Sequence, residues 1–151
     1  MVPLQLRGHH FLCMLTFVGK GYTPHFTENM KRVIADVSEG RPVRLKRGPD
    51  DICSGLLSSA CGPFGRHCRY PWVSLRDMIA AKAVSTVLKR DLEQPFSLTA
   101  ADLFVLRDEF TNGTIRKACR FCQWSSFCDE VADQGFENSL LKVEGDVNPK
   151  I

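Results

Sequence analysis

Thr23-Pro24-His25-Phe26-Thr27-Glu28-Asn29-Met30-Lys31-Arg32-Val33-Ile34-Ala35-Asp36-Val37-Ser38-Glu39-Gly40 runs straight into Arg41-Pro42-Val43-Arg44-Leu45-Lys46, and the pair decides the fold class. Thr23 offers an N-cap, and Pro24 suits the first helical position because its missing N–H would be unpaired there anyway. Phe26, Met30, Val33, Ile34 and Val37 recur at helical spacing and Gly40 stops the run, which predicts a helix over 24–39. Pro42 to Lys46 alternates instead, which predicts a short strand at 42–46. Leu4-Gln5-Leu6 alternates in the same way, as a strand near 3–7 that Gly8 breaks. Two strands joined through helices can pair in parallel, since a parallel pair needs a crossover of this length. The expected class is α+β, predominantly helical.

Outward from that core, His9 to Val18 reads as a helix ending at Gly19 or Gly21. Residues 48–70 are loop-like, with Gly48-Pro49, Gly55, Gly62-Pro63 and Gly65 among three cysteines and His67. Ser74 reads as the cap of a helix over 75–90, with Met78, Ile79, Ala83 and Val87 on its apolar stripe. Thr99-Ala100-Ala101-Asp102 resembles a capping box opening a helix over 100–111, which Asn112-Gly113 ends. Repeats and linkers are lacking. The chain therefore divides into one metal-binding domain over 1–144 and a loose tail over 145–151.

With 151 residues, 44% hydrophobic and 25% charged, the chain has the make-up of a globular domain able to bury a core without covalent help. The apolar run Phe11 to Val18 follows Arg7, His9 and His10, lacks a small-residue cleavage site, and is shorter than the ~20 residues a bilayer requires. No membrane association is expected. The seven cysteines are an odd number, and no secretory signal accompanies them, so the expected location is the reducing cytoplasm. A net charge of +3 and a pI near 8.5 argue against nucleic acid as a partner. Positive charge does gather beside cysteines: Arg41, Arg44, Lys46 and Arg47 before Cys53, Arg66 and Arg69 around Cys68, Arg116, Lys117 and Arg120 around Cys119. Most such runs are solvated surface, yet cations here would also stabilise thiolates.

Cys119-Arg120-Phe121-Cys122-Gln123-Trp124-Ser125-Ser126-Phe127-Cys128 carries three thiols in ten residues. On one helix Cys119 and Cys122 would share a face, but Cys128, nine positions on, would turn by roughly 900° and point the opposite way. If all three meet, the segment bends, and Ser125-Ser126 is the expected place. Cys53 and Cys68 are the natural partners from the middle loop. Asp50-Asp51 would raise the Cys53 thiol, making it a poorer nucleophile and a better metal ligand, or else they cap the turn. Structural zinc sites favour two short knuckles, whereas this chain has one knuckle and scattered thiols, a pattern that clusters tolerate. An iron–sulfur cluster is therefore expected, with zinc as the alternative.

Arg7-Gly8-His9-His10-Phe11-Leu12-Cys13 is a second constellation. His9 and His10 lie four and three positions before Cys13, close enough on a helix to face one point. They serve equally as ligands, as acid–base groups, or as hydrogen-bonding groups of the turn, with Cys13 as a core thiol.

Taken together, Leu6-Arg7-Gly8-His9-His10-Phe11-Leu12-Cys13, Gly19-Lys20-Gly21-Tyr22-Thr23-Pro24, Asp50-Asp51-Ile52-Cys53 and Cys119-x-x-Cys122-x-Trp124 with Cys128 resemble a family of small cysteine-rich bacterial and archaeal proteins, domain of unknown function 1284. The resemblance covers roughly residues 4 to 130 and implies iron–sulfur binding, with no assigned reaction. Its motif carries over onto Cys13, Cys53, Cys68, Cys119, Cys122 and Cys128. Members often have a further cysteine three residues after the one matching Cys53; here that position is Leu56, with Cys61 a possible substitute.

The leading expectation is a cytoplasmic 4Fe-4S protein in electron transfer or redox sensing, with a redox partner protein or a small-molecule ligand. Its ligands would be Cys119, Cys122 and Cys128 with Cys53 or Cys68, and Cys13 less firmly. The alternative is an enzyme with an open iron, in which His9, His10 and Arg7 handle a small substrate's protons and charge. A structural zinc module binding nucleic acid or protein is the third reading.

Overall fold

A computed structural model describes residues 2–20, 23–48, 50–52, 71–120, 122 and 124–146. Strand β1 (Leu4–Leu6) is followed by α1 (His10–Thr16), α2 (Pro24–Ser38) and β2 (Val43–Leu45). Helices α3 (Pro71–Leu88) and α4 (Ala100–Thr111), a 3-10 turn (Lys117–Cys119) and α5 (Ser125–Asp133) complete the order. The class is α+β and predominantly helical.

Thr23 caps α2 by accepting from the Phe26 N–H at 3.0 Å, and Pro24 occupies the first turn. Phe26, Met30, Val33, Ile34 and Val37 are all buried, as their spacing requires. β1 and β2 pair in parallel, with Leu4, Gln5 and Leu6 opposite Val43, Arg44 and Leu45. Beyond them, Leu45 N–H donates to Leu92 O and Val43 bridges Phe96 antiparallel. On β1 the Asp51 carboxylate accepts from Gln5 N–H and the Asp50 carboxylate from Arg7 N–H. The acidic pair is thus bonded to β1.

α3 departs from expectation. It runs from Pro71, so Ser74 lies inside the helix rather than at its cap. Val73, Asp77, Ala80 and Val84 are its buried positions, while Met78, expected on the core stripe, is exposed. α4 has the expected capping box, with Thr99 accepting from Asp102 N–H and Asp102 from Thr99 N–H. Asn112 and Gly113, at φ +81°, end it. Asp146, in the expected tail, is held by Arg107 of α4 at 2.6 Å, and both side chains are buried.

α1 is short but central. Phe11, Leu12, Met14 and Leu15 are buried, and the helix packs against α3, α4 and α5.

Candidate functional site

α1 turns Cys13, Thr16 and Leu12 toward a half-open cavity of about 110 Å³. Cys119, Cys122 and Cys128 line the same cavity from the other end of the chain, with Trp124, Phe127 and Phe110 as apolar wall. A water's share of liquid volume is about 30 Å³, and a cavity of about 150 Å³ takes benzene. The space therefore suits a group of several heavy atoms. Among the described residues, no group of three or more His, Cys, Asp and Glu side chains is arranged to hold a single metal ion.

Tight turns bring the C-terminal thiols together. Cys119 N–H donates to Arg116 O, Cys122 N–H to Cys119 O, and Ser125 N–H to Cys122 O. The Cys122 N–H to Cys119 O bond closes a separate tight turn that keeps these two residues close. Arg120 leaves the helical region at ψ 130°, and α5 then starts at Ser125, so Cys128 falls in its first turn. The segment is broken as expected, but ahead of Ser125 rather than at Ser125-Ser126. The α5 helix itself was not foreseen.

Thr16 Oγ1 lies 3.1 Å from Cys128 Sγ. Burial pushes the Cys13 thiol well up, and the neighbouring Cys122, Cys119 and Cys128 push it further, against the pull of Arg76. Burial likewise raises Cys119, against Arg116, and Cys128, against Thr16. Arg116 pairs with Asp129, lies over the Phe110 ring, and interacts with Cys119. Its Nε is buried without an acceptor. No carboxylate lines the cavity among the described residues, whereas Lys20, Arg76 and Arg116 do. Thiolates, or a group they ligate, would meet complementary charge there.

His9 and His10 also line the cavity, their ring centroids 4.3 Å apart. His9 Nδ1 lies 2.6 Å from Asp77 Oδ1, and His10 Nδ1 lies 2.7 Å from Asp50 Oδ2. Arg7 Nε donates to the other oxygen of Asp77 at 2.7 Å. Burial and then His10 lower the His9 pKa to about 4, although Asp77 pulls it upward. Asp77 is held below its ordinary value by His9 and Arg7, against the effect of its own burial. Arg7, expected to meet a substrate, is 1% exposed and does not line the cavity. Its role is to fix Asp77.

Of the sequence-selected residues, the structure therefore gathers Cys13, Cys119, Cys122, Cys128, His9 and His10 around one cavity. Cys53, Cys61, His67 and Cys68 lie outside the described residues. Ile52, the neighbour of Cys53 in the chain, does line the cavity, and Asn29 of α2 holds it by donating to Ile52 O and Asp51 O. Sequence reasoning missed Asp77, Arg76 and Thr16, since no local pattern links α3 to residues nearly seventy positions earlier. Asp50 was noticed only as a neighbour of Cys53.

Residues 21–128 match the family described as protein of unknown function, DUF1284. The chain belongs to the DUF1284 family. The match takes in Cys53, Cys68, Cys119, Cys122 and Cys128 and begins after Arg7, His9, His10 and Cys13. No curated protein and no solved structure matches this DUF1284 chain. None of its described helices is long and apolar enough to cross a membrane.

Proposed function

We propose that this DUF1284 protein is a cytoplasmic iron–sulfur protein, of the 4Fe-4S type, serving electron transfer or redox sensing. The observation that carries the reading is the lining of one cavity by Cys13, Cys119, Cys122 and Cys128 with cations and, among the described residues, no carboxylate. Thiols spread around a space, rather than meeting at a point, suit a multi-iron group better than one zinc ion. Bound there, such a cluster would supply a one-electron carrier. Cys119, Cys122 and Cys128 would hold it, with the fourth ligand from Cys53 or Cys68, which lie outside the described residues, or from Cys13, which lines the cavity. Arg76 and Arg116 would offset the excess negative charge, and the orphaned Arg116 Nε offers a donor for sulfur. Trp124 and Phe127 would exclude water.

His9 and His10 in the cavity wall favour a second reading. If Cys13 does not bind, one iron stays open to a small molecule and the histidines stand beside it.

Anaerobic purification tests both. The expected product is brown and holds about four irons and four acid-labile sulfides per chain, the stoichiometry of the cluster type. A colourless protein with one zinc would overturn them.

A further inference from the structure

The cavity contains polar groups that thiol ligation leaves unused. We propose that His9 and Arg76 form a binding site for a small hydroxy acid, whose carboxylate meets Arg76 and whose hydroxyl meets His9 Nε2. The site goes beyond cluster binding; cluster and acid would use the same space of about 110 Å³, so the acid is bound by the iron-free protein.

Three observations carry this. First, His9 lines the cavity while its Nδ1 is committed to Asp77 at 2.6 Å, and the His9 backbone N–H reaches the same carboxylate oxygen at 3.1 Å. The ring is fixed and Nε2 is the polar atom left over. A hydroxyl both donates and accepts, so it satisfies that nitrogen in either protonation state. Second, Arg76 lines the cavity and lies over the Trp72 ring at 4.8 Å, and no carboxylate among the described residues pairs with it. A guanidinium in that position takes a carboxylate bidentately. Third, the two groups belong to one contact. Gly8 packs directly on the Asp77 carbonyl, which sets Asp77 against His9 and leaves Arg76, one residue earlier, at the same junction.

Size sets the upper limit on the ligand. A space of about 110 Å³ takes a molecule of about six non-hydrogen atoms, by comparison with benzene in about 150 Å³. Lactate has that size, and malate tests the limit. Among the described residues the wall carries no acid to repel them.

Titration calorimetry on protein stripped of iron by a chelator tests the site with two matched pairs, L-lactate against propionate and L-malate against succinate. Each pair differs by the hydroxyl alone. At least one hydroxy acid should bind at least tenfold more tightly than its partner, because a site built around a hydroxyl is left with an unpaired group by the analogue. Arg76→Gln, which leaves no buried charge behind, should weaken both members of that pair about tenfold and keep the preference. His9→Phe should abolish the preference. Absence of binding by both hydroxy acids, equal binding within a pair, or an Arg76→Gln protein that binds like the parent would each overturn the proposal. Iron and sulfide measured before stripping separate the two ideas. Hydroxyl preference in a protein isolated iron-free would sink the cluster and keep this site; a protein isolated iron-replete whose stripped form shows no preference would do the reverse.

Discussion

Gly8 lies against the main chain of Asp77 so closely that a Cβ at residue 8 would overlap the Asp77 carbonyl. That contact sets the spacing between α1 and α3, and the Asp77 carboxylate then reaches His9 and Arg7. Gly8→Ala cannot be absorbed by a flexible side chain, because the obstruction is backbone. The substitution should cost about 1–3 kcal/mol, as overpacking in a fixed core does. A lower urea midpoint with an unchanged slope would register it; an unaltered midpoint would show that α1 and α3 separate freely.

The His9–Asp77 pair gives stability a defined pH dependence. His9 stands at about 4 in the folded chain against an ordinary 6.5. Between those values the unfolded chain takes up a proton that the folded chain refuses. Stability should therefore fall as the pH drops from 6.5 to 4, by on the order of 3 kcal/mol. Asp77, held below its ordinary 3.8, contributes stability that is lost only at still lower pH, as the carboxylate protonates toward its folded value. His10, Asp50 and Arg7 surround the pair throughout. Urea midpoints at pH 7 and pH 4.5 should differ in the parent and differ much less in His9→Gln.

Alanine replacements separate the candidate fourth ligands. The variant that loses at least half of the bound iron, among Cys13→Ala, Cys53→Ala and Cys68→Ala, marks the fourth ligand, and the other two should retain it, since ligand loss costs far more than a surrounding change. Full iron in Cys13→Ala with loss in either of the others would make Cys13 a buried core thiol and return the fourth position to the middle segment.

Arg107 and Asp146 tie the C-terminal segment to α4. Arg107 donates to Asp146 at 2.6 Å and to Leu141 O at 3.0 Å, with both charged side chains only 8% exposed. Asp146→Asn should cost about 3–5 kcal/mol, because the guanidinium would stay buried without its counter-charge. Arg107→Met combined with Asp146→Asn should recover much of that loss, and thermal denaturation of the three proteins would show whether it does.

The local elements were legible where one residue type had one job. Thr23-Pro24 and the Phe26 to Val37 spacing defined α2, and Thr99 with Asp102 defined the start of α4. α3 was harder, because Pro71 and Ser74 are both good helix openers and the earlier one prevails. Met78 then fell on the outer face, and Val73, Ala80 and Val84 took the core. Around the cavity, the clustering of Cys119, Cys122 and Cys128 could be anticipated from their spacing. The approach of Cys13 could not, since it depends on α1 packing against α5 more than a hundred residues later. Asp77 was invisible for the same reason. A carboxylate inside an amphipathic helix looks solvated until the opposing histidine is known.

The family match begins at residue 21, yet the helix at the middle of this molecule ends at Thr16. Phe11, Leu12, Met14 and Leu15 would all be missing from a chain trimmed to the matched part, together with one thiol and both histidines of the cavity. Such a trimmed chain would lose one wall of the cavity and a central piece of the core at once, so loss of fold and loss of site could not be told apart in it.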